Sequence, residues 1–291
     1  MTATELNEAP NLAALYLKAV ASTPTRRGGN ELPDTEYVRR GITVDRDHLA
    51  EYNRVCGFGM RDELPPTYPH ILSFGAAVRL MTDPGFPFPL VGLVHVANTI
   101  TQRRPLLVTE TLTQRVHLAN LRPHPKGRQF DIVTETDADG ETVWTESSTY
   151  LRRGKPDESA AKSERTATIE AGSPTATWRL PGDLGRRYAA VSGDRNPIHL
   201  HPLTAKAFGF PRAIAHGMWS KARCLAVFEG RLPETYTAEV SFAKPVLLPS
   251  TVEFTERDTG QDSSGRENHG QNRDFALHSR SGKPHLRGSV R

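Results

Sequence analysis

The stretch from Tyr188 to Gly230 (YAAVSGDRNPIHLHPLTAKAFGFPRAIAHGMWSKARCLAVFEG) constrains the fold more than any other. Its second part carries Met218, Trp219, Ala222, Cys224, Leu225, Ala226, Val227 and Phe228, and its only charges are Lys221, Arg223 and Glu229. A helix apolar nearly all round has to be buried, so the remaining chain must supply a layer that covers it. Just ahead lies a compact polar loop, Ser192-Gly193-Asp194-Arg195-Asn196-Pro197-Ile198-His199. Asn196-Pro197 reads as a cap followed by a first-turn proline, because proline lacks the amide that a helix start leaves unpaired anyway. Asp194 and His199 are the loop's two proton-transfer groups.

Those neighbours carry a chemical meaning. Free amides at a helix start, reinforced by the macrodipole, attract developing negative charge. Gly217 has no side chain, so a substrate oxygen can approach its amide closely. A thioester carbonyl placed there would be polarised and its α-proton made easier to remove. Asp194 and His199 would then move a proton and a water on or off the adjacent carbons. Each residue also has a plainer role available. Asp194 suits a turn, His199 a satisfied structural histidine, and Gly217 an ordinary helix-start glycine. Asn196 suits fixing the loop through backbone hydrogen bonds, Tyr188 packing, and His201 an exposed position. His216 either orients the helix start or lines the site. Zinc held by Asp194, His199 and His201 is disfavoured, since metal sites need three or four convergent ligands with outer support.

Tyr188, Gly193-Asp194, Asn196-Pro197 and His199, followed by Ala215-His216-Gly217-Met218, resemble the signature of MaoC-like (R)-specific enoyl-thioester hydratases. From about Gly41 to the C-terminus the chain is similar to the two-hotdog 3-hydroxyacyl-thioester dehydratases of actinobacteria, more weakly in its first half. A more distant likeness is to the dehydratase region of fungal-type fatty-acid synthases. The resemblance implies an α+β double hotdog, two antiparallel sheets each wrapped around a long apolar helix. It implies reversible dehydration of (3R)-hydroxyacyl thioesters to trans-2-enoyl thioesters, with Asp194 and His199 catalytic and Gly217, Asn196 and His216 at the oxyanion and substrate side. It implies no metal or redox cofactor, the substrate arriving on coenzyme A or on the phosphopantetheine of acyl carrier protein. The two hotdogs would form an intramolecular pseudo-dimer, or pair again as a homodimer.

Bulk properties agree with such a chain. Its 291 residues suit two ordinary domains, and 37% hydrophobic content can build a core. The formal net charge of +4 suits an acidic partner mildly and ordinary solubility equally well. No basic stripe with interleaved aromatics points to nucleic acid. Two cysteines, Cys56 and Cys224, in apolar or helical contexts read as buried free thiols. The N-terminus is acidic where a secretion signal is basic, and the most apolar region, Phe86 to Ile100, is too short to span a bilayer. The expected location is cytoplasmic.

Along the chain, the pattern predicts a short helix over Asn11–Val20, a strand over Arg39–Val44, and a helix over Asp47–Val55 capped by Asp45 or Asp47. An extended turn over Leu64–Pro69 and a buried helix over Ile71–Met81 follow. Strands are expected over Gly92–Gln102, Thr109–Leu118, Gln129–Glu135 and Thr142–Leu151, the last two joined by a tight turn at Asp137–Gly140. Residues 152–174 are charged and aperiodic, a linker between an N-terminal domain (1–151) and a C-terminal one (175–291). In the latter, strands are expected over Ala238–Ala243, Thr251–Glu256, Phe275–His278 and His285–Val290. The polar Thr259–Asn272 reads as a hairpin tip.

The halves repeat. Tyr52-Asn-Arg-Val55-Cys-Gly57 matches Tyr188-Ala-Ala-Val191-Ser-Gly193 at an offset of 136 positions, and Arg104-Pro105-Leu106 matches Lys244-Pro245-Val246 at 140. At the first offset Phe58, Met60 and Glu63 stand where Asp194, Asn196 and His199 stand, so the first half lacks the acid/base pair. Phe58, Met60, Phe86, Phe88 and Val94 are then candidates for walls of an acyl tunnel, or simply core. Two rival readings compete with the dehydratase: a hotdog acyl-thioesterase, and a non-catalytic acyl-binding subunit of a dehydratase complex.

Overall fold

The computed structural model describes residues 1–16, 31–90, 92–154, 173–260 and 272–291. Among these residues eleven strands appear: β1 Thr2–Glu5, β2 Thr35–Ile42, β3 Leu93–Gln102, β4 Leu112–His124, β5 Gly127–Ala138, β6 Glu141–Arg153, β7 Ala176–Leu180, β8 Tyr236–Phe242, β9 Ser250–Asp258, β10 Arg273–Ser279 and β11 Pro284–Val290. The main helices are α1 Arg46–Cys56, α2 Tyr68–Met81, α3 Leu184–Ser192, α4 Pro197–Leu200, α5 Pro202–Ala207 and α6 Gly217–Ala226. Residues 12–16 are also helical; the rest of the helix expected to Val20 lies outside the described residues. So do residues 155–172 of the expected linker and 261–271 of the expected hairpin tip. The linker boundary moves, because β6 continues to Arg153 paired with Gly127.

The chain forms two compact units. One holds β1, β2, nearly all of α2, β3 as far as Asn98, and β4 to β6. Its strands run in the order β1-β2-β4-β5-β6-β3, with β1 parallel to β2 and the β2–β4–β5–β6 pairs antiparallel. Alternation sets the register: Val116 faces Thr134, and Ile132 faces Ser148. The turn between β5 and β6 has left-handed backbone at Asp139 (φ 51°) and Gly140 (φ 82°), as a two-residue hairpin with right-twisted strands requires. The apolar face of α2 (Phe74, Ala77, Val78, Met81) packs with Phe86, Phe88, Phe130 and Ile132.

The other unit holds α1, the end of β3 from Thr99, and everything described from β7 onward. Here the order is β8-β11-β10-β9-β7, and the β8–β11, β11–β10, β10–β9 and β9–β7 pairs are antiparallel. Phe228, Phe254 and Phe275 pack ring to ring over 5.5–6.3 Å. Beneath them α6 buries Met218, Trp219, Ala222, Cys224 and Leu225. A side chain the size of Met218 or Leu225 contributes about 1.5–3 kcal/mol on leaving water. Lys221, on the same helix, is fully buried, with its Nζ donating to the Ala238 carbonyl at 2.9 Å. That bond ties α6 to β8.

The architecture is α+β and hotdog-like, with two corrections to the expected pair of separate sheets. Strand β3 is divided between the units, so its strands do not fall into two self-contained sets, and the β1–β2 pair is parallel. Helix α6 is also short, ten residues from Gly217 to Ala226. Among the described residues no helix is long and apolar enough to cross a membrane. Cys56 and Cys224 are both buried and free.

Candidate active site

Helix α3 runs to Gly193, whose left-handed backbone (φ 73°) closes it, its amide N–H donating to the Ala189 carbonyl at 3.0 Å. Gly57 ends α1 the same way (φ 85°), so the repeat seen in sequence is a repeat of one helix-to-loop device. The ring of Tyr52 on α1 stands 6.3 Å from that of Tyr188 on α3. Past Gly193 the loop folds on itself. Asp194 Oδ1 accepts the Asn196 amide at 3.1 Å, and Asn196 Oδ1 accepts the Ile198 amide at 3.4 Å. Asn196 thus caps α4, with Pro197 at its first position.

This fold of the loop sets His199 inward. It is 8% exposed and its Nδ1 lies 2.8 Å from the Ile214 carbonyl. A carbonyl can only accept, so Nδ1 carries the proton and Nε2 keeps a bare lone pair. His216, the residue before α6, is 2% exposed and its Nε2 donates to the Asp194 backbone carbonyl at 3.0 Å. Its Nδ1 is buried with no hydrogen-bond partner among the described residues. The two imidazoles stack with centroids 3.7 Å apart, and Asp194 Oδ2 stands 3.8 Å from His216 Nε2. Burial lowers the pKa of both rings. His216 falls from 6.5 to about 3, with His199 pushing the same way and Asp194 opposing. His199 falls through burial against the pull of Asp194 and of its bond to Ile214. Both rings are therefore neutral at neutral pH, beside the partly exposed side chain of Asp194.

Gly217 follows His216 directly and heads α6, where no intrahelical carbonyl can reach its amide. A Cβ there would stand 3.1–3.3 Å from the Phe242 ring, so a larger residue would crowd the helix start. Asp194, His199 and His216 each offer a donor atom, all within 4.8 Å of one another. An ion of the zinc type would have to bind that trio. His201, weighed earlier as a third ligand, is elsewhere: it is exposed, and its Nδ1 caps α5 by accepting the Leu203 amide at 3.2 Å.

The remaining candidates separate. Phe58 is buried, its ring stacked with Tyr52 at 6.5 Å. Met60 is 71% exposed and lines no interior here. Phe86 and Phe88 fill the core of the other unit against Phe130, at 5.1 and 5.9 Å, and Val94 is half-buried on β3. Two contributors escaped the sequence reading. One is the Asp194 backbone carbonyl that sets the His216 tautomer. The other is Gly185, buried in the first turn of α3, where an added Cβ would collide with the His199 carbonyl group, 3.0 Å from its carbon. An interior glycine in a helical pattern was the one available signal.

The family model for the MaoC like domain matches residues 159–277. The sequence is 35% identical to 3-hydroxyacyl-thioester dehydratase X of Mycobacterium tuberculosis, over 98% of this chain and 99% of the relative. It is 28% identical to 3-hydroxyacyl-thioester dehydratase Y of the same organism, over 75% and 79% of the two chains. The crystal structure of HtdX from M. tuberculosis superposes with a TM-score of 0.75 at 36% identity, covering 88% of this chain and 99% of that one. The chain belongs to the MaoC-like dehydratase family.

Proposed function

We propose that this chain is a hydro-lyase that interconverts (3R)-hydroxyacyl thioesters and trans-2-enoyl thioesters in fatty-acid metabolism. The carrying observation is that Asp194 and His199 share a cluster with His216, the residue just ahead of the glycine that heads α6. The Gly217 amide holds the thioester oxygen, where negative charge grows as the C2 proton is exchanged. In hydration, a water held by Asp194 and His199 gives a proton to the pair as its oxygen bonds to C3. The alkene electron pair passes to C2, which takes a proton back from the pair. Dehydration is the reverse, so the pair returns to its starting state each way.

Asn196 shapes the loop, and His216, neutral and bonded to the Asp194 carbonyl, holds that backbone in place. All of these residues lie in the second half, 175–291, with the first, 1–151, as its non-catalytic partner. No metal or redox step is needed, and the thioester comes on coenzyme A or acyl carrier protein. Relatives whose names specify 3-hydroxyacyl-thioester dehydratases support this substrate class.

The test supplies the purified chain with crotonyl-coenzyme A and longer trans-2-enoyl-coenzyme A and follows loss of the enoyl absorbance, with chiral analysis of the product. A (3R)-hydroxyacyl product is expected. Release of free thiol with the alkene intact would replace this reading with a thioesterase. Binding without turnover until a partner chain is added would replace it with a non-catalytic subunit.

A further inference from the structure

Within the second unit, a groove of about 530 Å³ opens between the end of α1, the start of α3, α6 and β7. Four arginines line it, Arg54, Arg179, Arg187 and Arg223, together with Trp178 and Trp219, and among the described residues no acidic one does. Arg54 pairs with Glu51, but Arg179, Arg187 and Arg223 make no ion pair among the described residues. The Arg223 guanidinium lies 4.5 Å over the Trp178 ring. Its other neighbour is Gly57, where a Cβ would come within 2.9 Å of the guanidinium carbon. The left-handed glycine that ends α1 therefore makes room for this arginine. Trp178 is braced from behind by Phe254, stacked at 5.3 Å. Trp219 is fixed by its indole donating to the Val55 carbonyl at 3.0 Å.

Like charges gathered on a partly apolar wall repel one another and lose hydration, a cost that an anion binding there would offset. Planar guanidiniums match phosphate oxygens in bidentate geometry, and the indoles beside them offer flat apolar surface for a ligand's body. We propose that this groove is a binding site for a phosphate ester with an apolar or aromatic body. Two sources share that chemistry: the nucleotide end of a coenzyme A thioester, and a free nucleotide acting as an effector. The site does not depend on the dyad reading, since binding is measurable whether or not the chain turns over an enoyl thioester.

Two of the chain's three tryptophans line the groove, and the third, Trp144, is fully buried in the other unit, so intrinsic fluorescence reports on it. The titrants are adenosine 3′,5′-bisphosphate and, separately, inorganic phosphate. A saturable change is expected with the bisphosphate and a weaker one with phosphate. Arg223→Gln and the exposed Arg187→Gln should each weaken binding about tenfold, the loss of one charge-assisted contact. Lys283→Gln, at the β10–β11 turn, should bind as the parent does. Circular dichroism of each variant separates lost binding from lost folding. Competition against acyl-coenzyme A assigns the site to the carrier's nucleotide; inhibition or activation without competition assigns it to a separate effector. Absence of a saturable change, or unaltered affinity in both folded arginine variants, would overturn the proposal.

Discussion

Replacing Gly185 with alanine should damage the site without touching it. In a helix this exchange ordinarily stabilises by about 0.8–1 kcal/mol, because alanine loses less chain entropy. Gly185 is in the first turn of α3, and its backbone is not left-handed, so no torsional penalty opposes that gain. The opposing factor is space. An added Cβ would overlap the His199 carbonyl oxygen and stand 3.0 Å from its carbon, well inside the ~3.5–4.0 Å at which two carbon atoms meet. Both partners are backbone in packed helices, so neither can swing away, and α4 has to shift bodily. Overpacking of this kind costs about 1–3 kcal/mol, which cancels or exceeds the propensity gain. The same shift moves His199 relative to Asp194, and a displacement near 1 Å lowers turnover about 100-fold. The assay pairs thermal unfolding with enoyl-thioester hydration kinetics. The expected variant is folded, unchanged or slightly lowered in Tm, and strongly reduced in kcat. A Gly185→Ala protein with raised Tm and full kcat would refute the reasoning.

Three further outcomes follow from the geometry. His216 has its pKa lowered to about 3 from 6.5, chiefly by burial, so on acidification the unfolded chain takes up its proton first. The stability it lends is complete above about pH 6.5 and is lost as the pH falls towards 3, at up to about 1.4 kcal/mol per pH unit. Urea unfolding of wild type and His216→Gln should therefore give curves that converge on acidification; parallel curves would contradict this. Asn196→Ala removes the cap of α4 and should cost about 1 kcal/mol with reduced kcat, checked by unfolding and rate together; an unchanged rate would make the cap irrelevant to the dyad. Chelation with EDTA should leave turnover intact; activity lost and then restored by zinc would make Asp194, His199 and His216 a metal site.

The parts of the fold set by local chemistry were readable in the chain. Asp45 and Asn196 cap where their side chains suggested, Asp139-Gly140 turns as its residues require, and the two glycine-ended helices repeat. Strand β1 was not readable, being four exposed residues with no apolar alternation. The grouping of α1 with the second unit depends on long-range packing, such as Trp219 donating to the Val55 carbonyl, which no local pattern encodes. At the site, the loop spacing was enough to bring Asp194 and His199 near each other, but the tautomers of His199 and His216 depend on carbonyls of Ile214 and Asp194 brought close by folding. Met60 shows the opposite failure: an apolar residue at a suggestive repeat position that the fold leaves in water.

The most direct measurement compares enoyl-thioester hydration by wild type, Asp194→Asn and His199→Gln, each shown by circular dichroism to be folded. Removing either half of a cooperating acid/base pair should reduce kcat by a factor on the order of 100 to 10,000, and the double variant should be little worse than either single one. Full activity in both folded variants would contradict the assignment of chemistry to this loop.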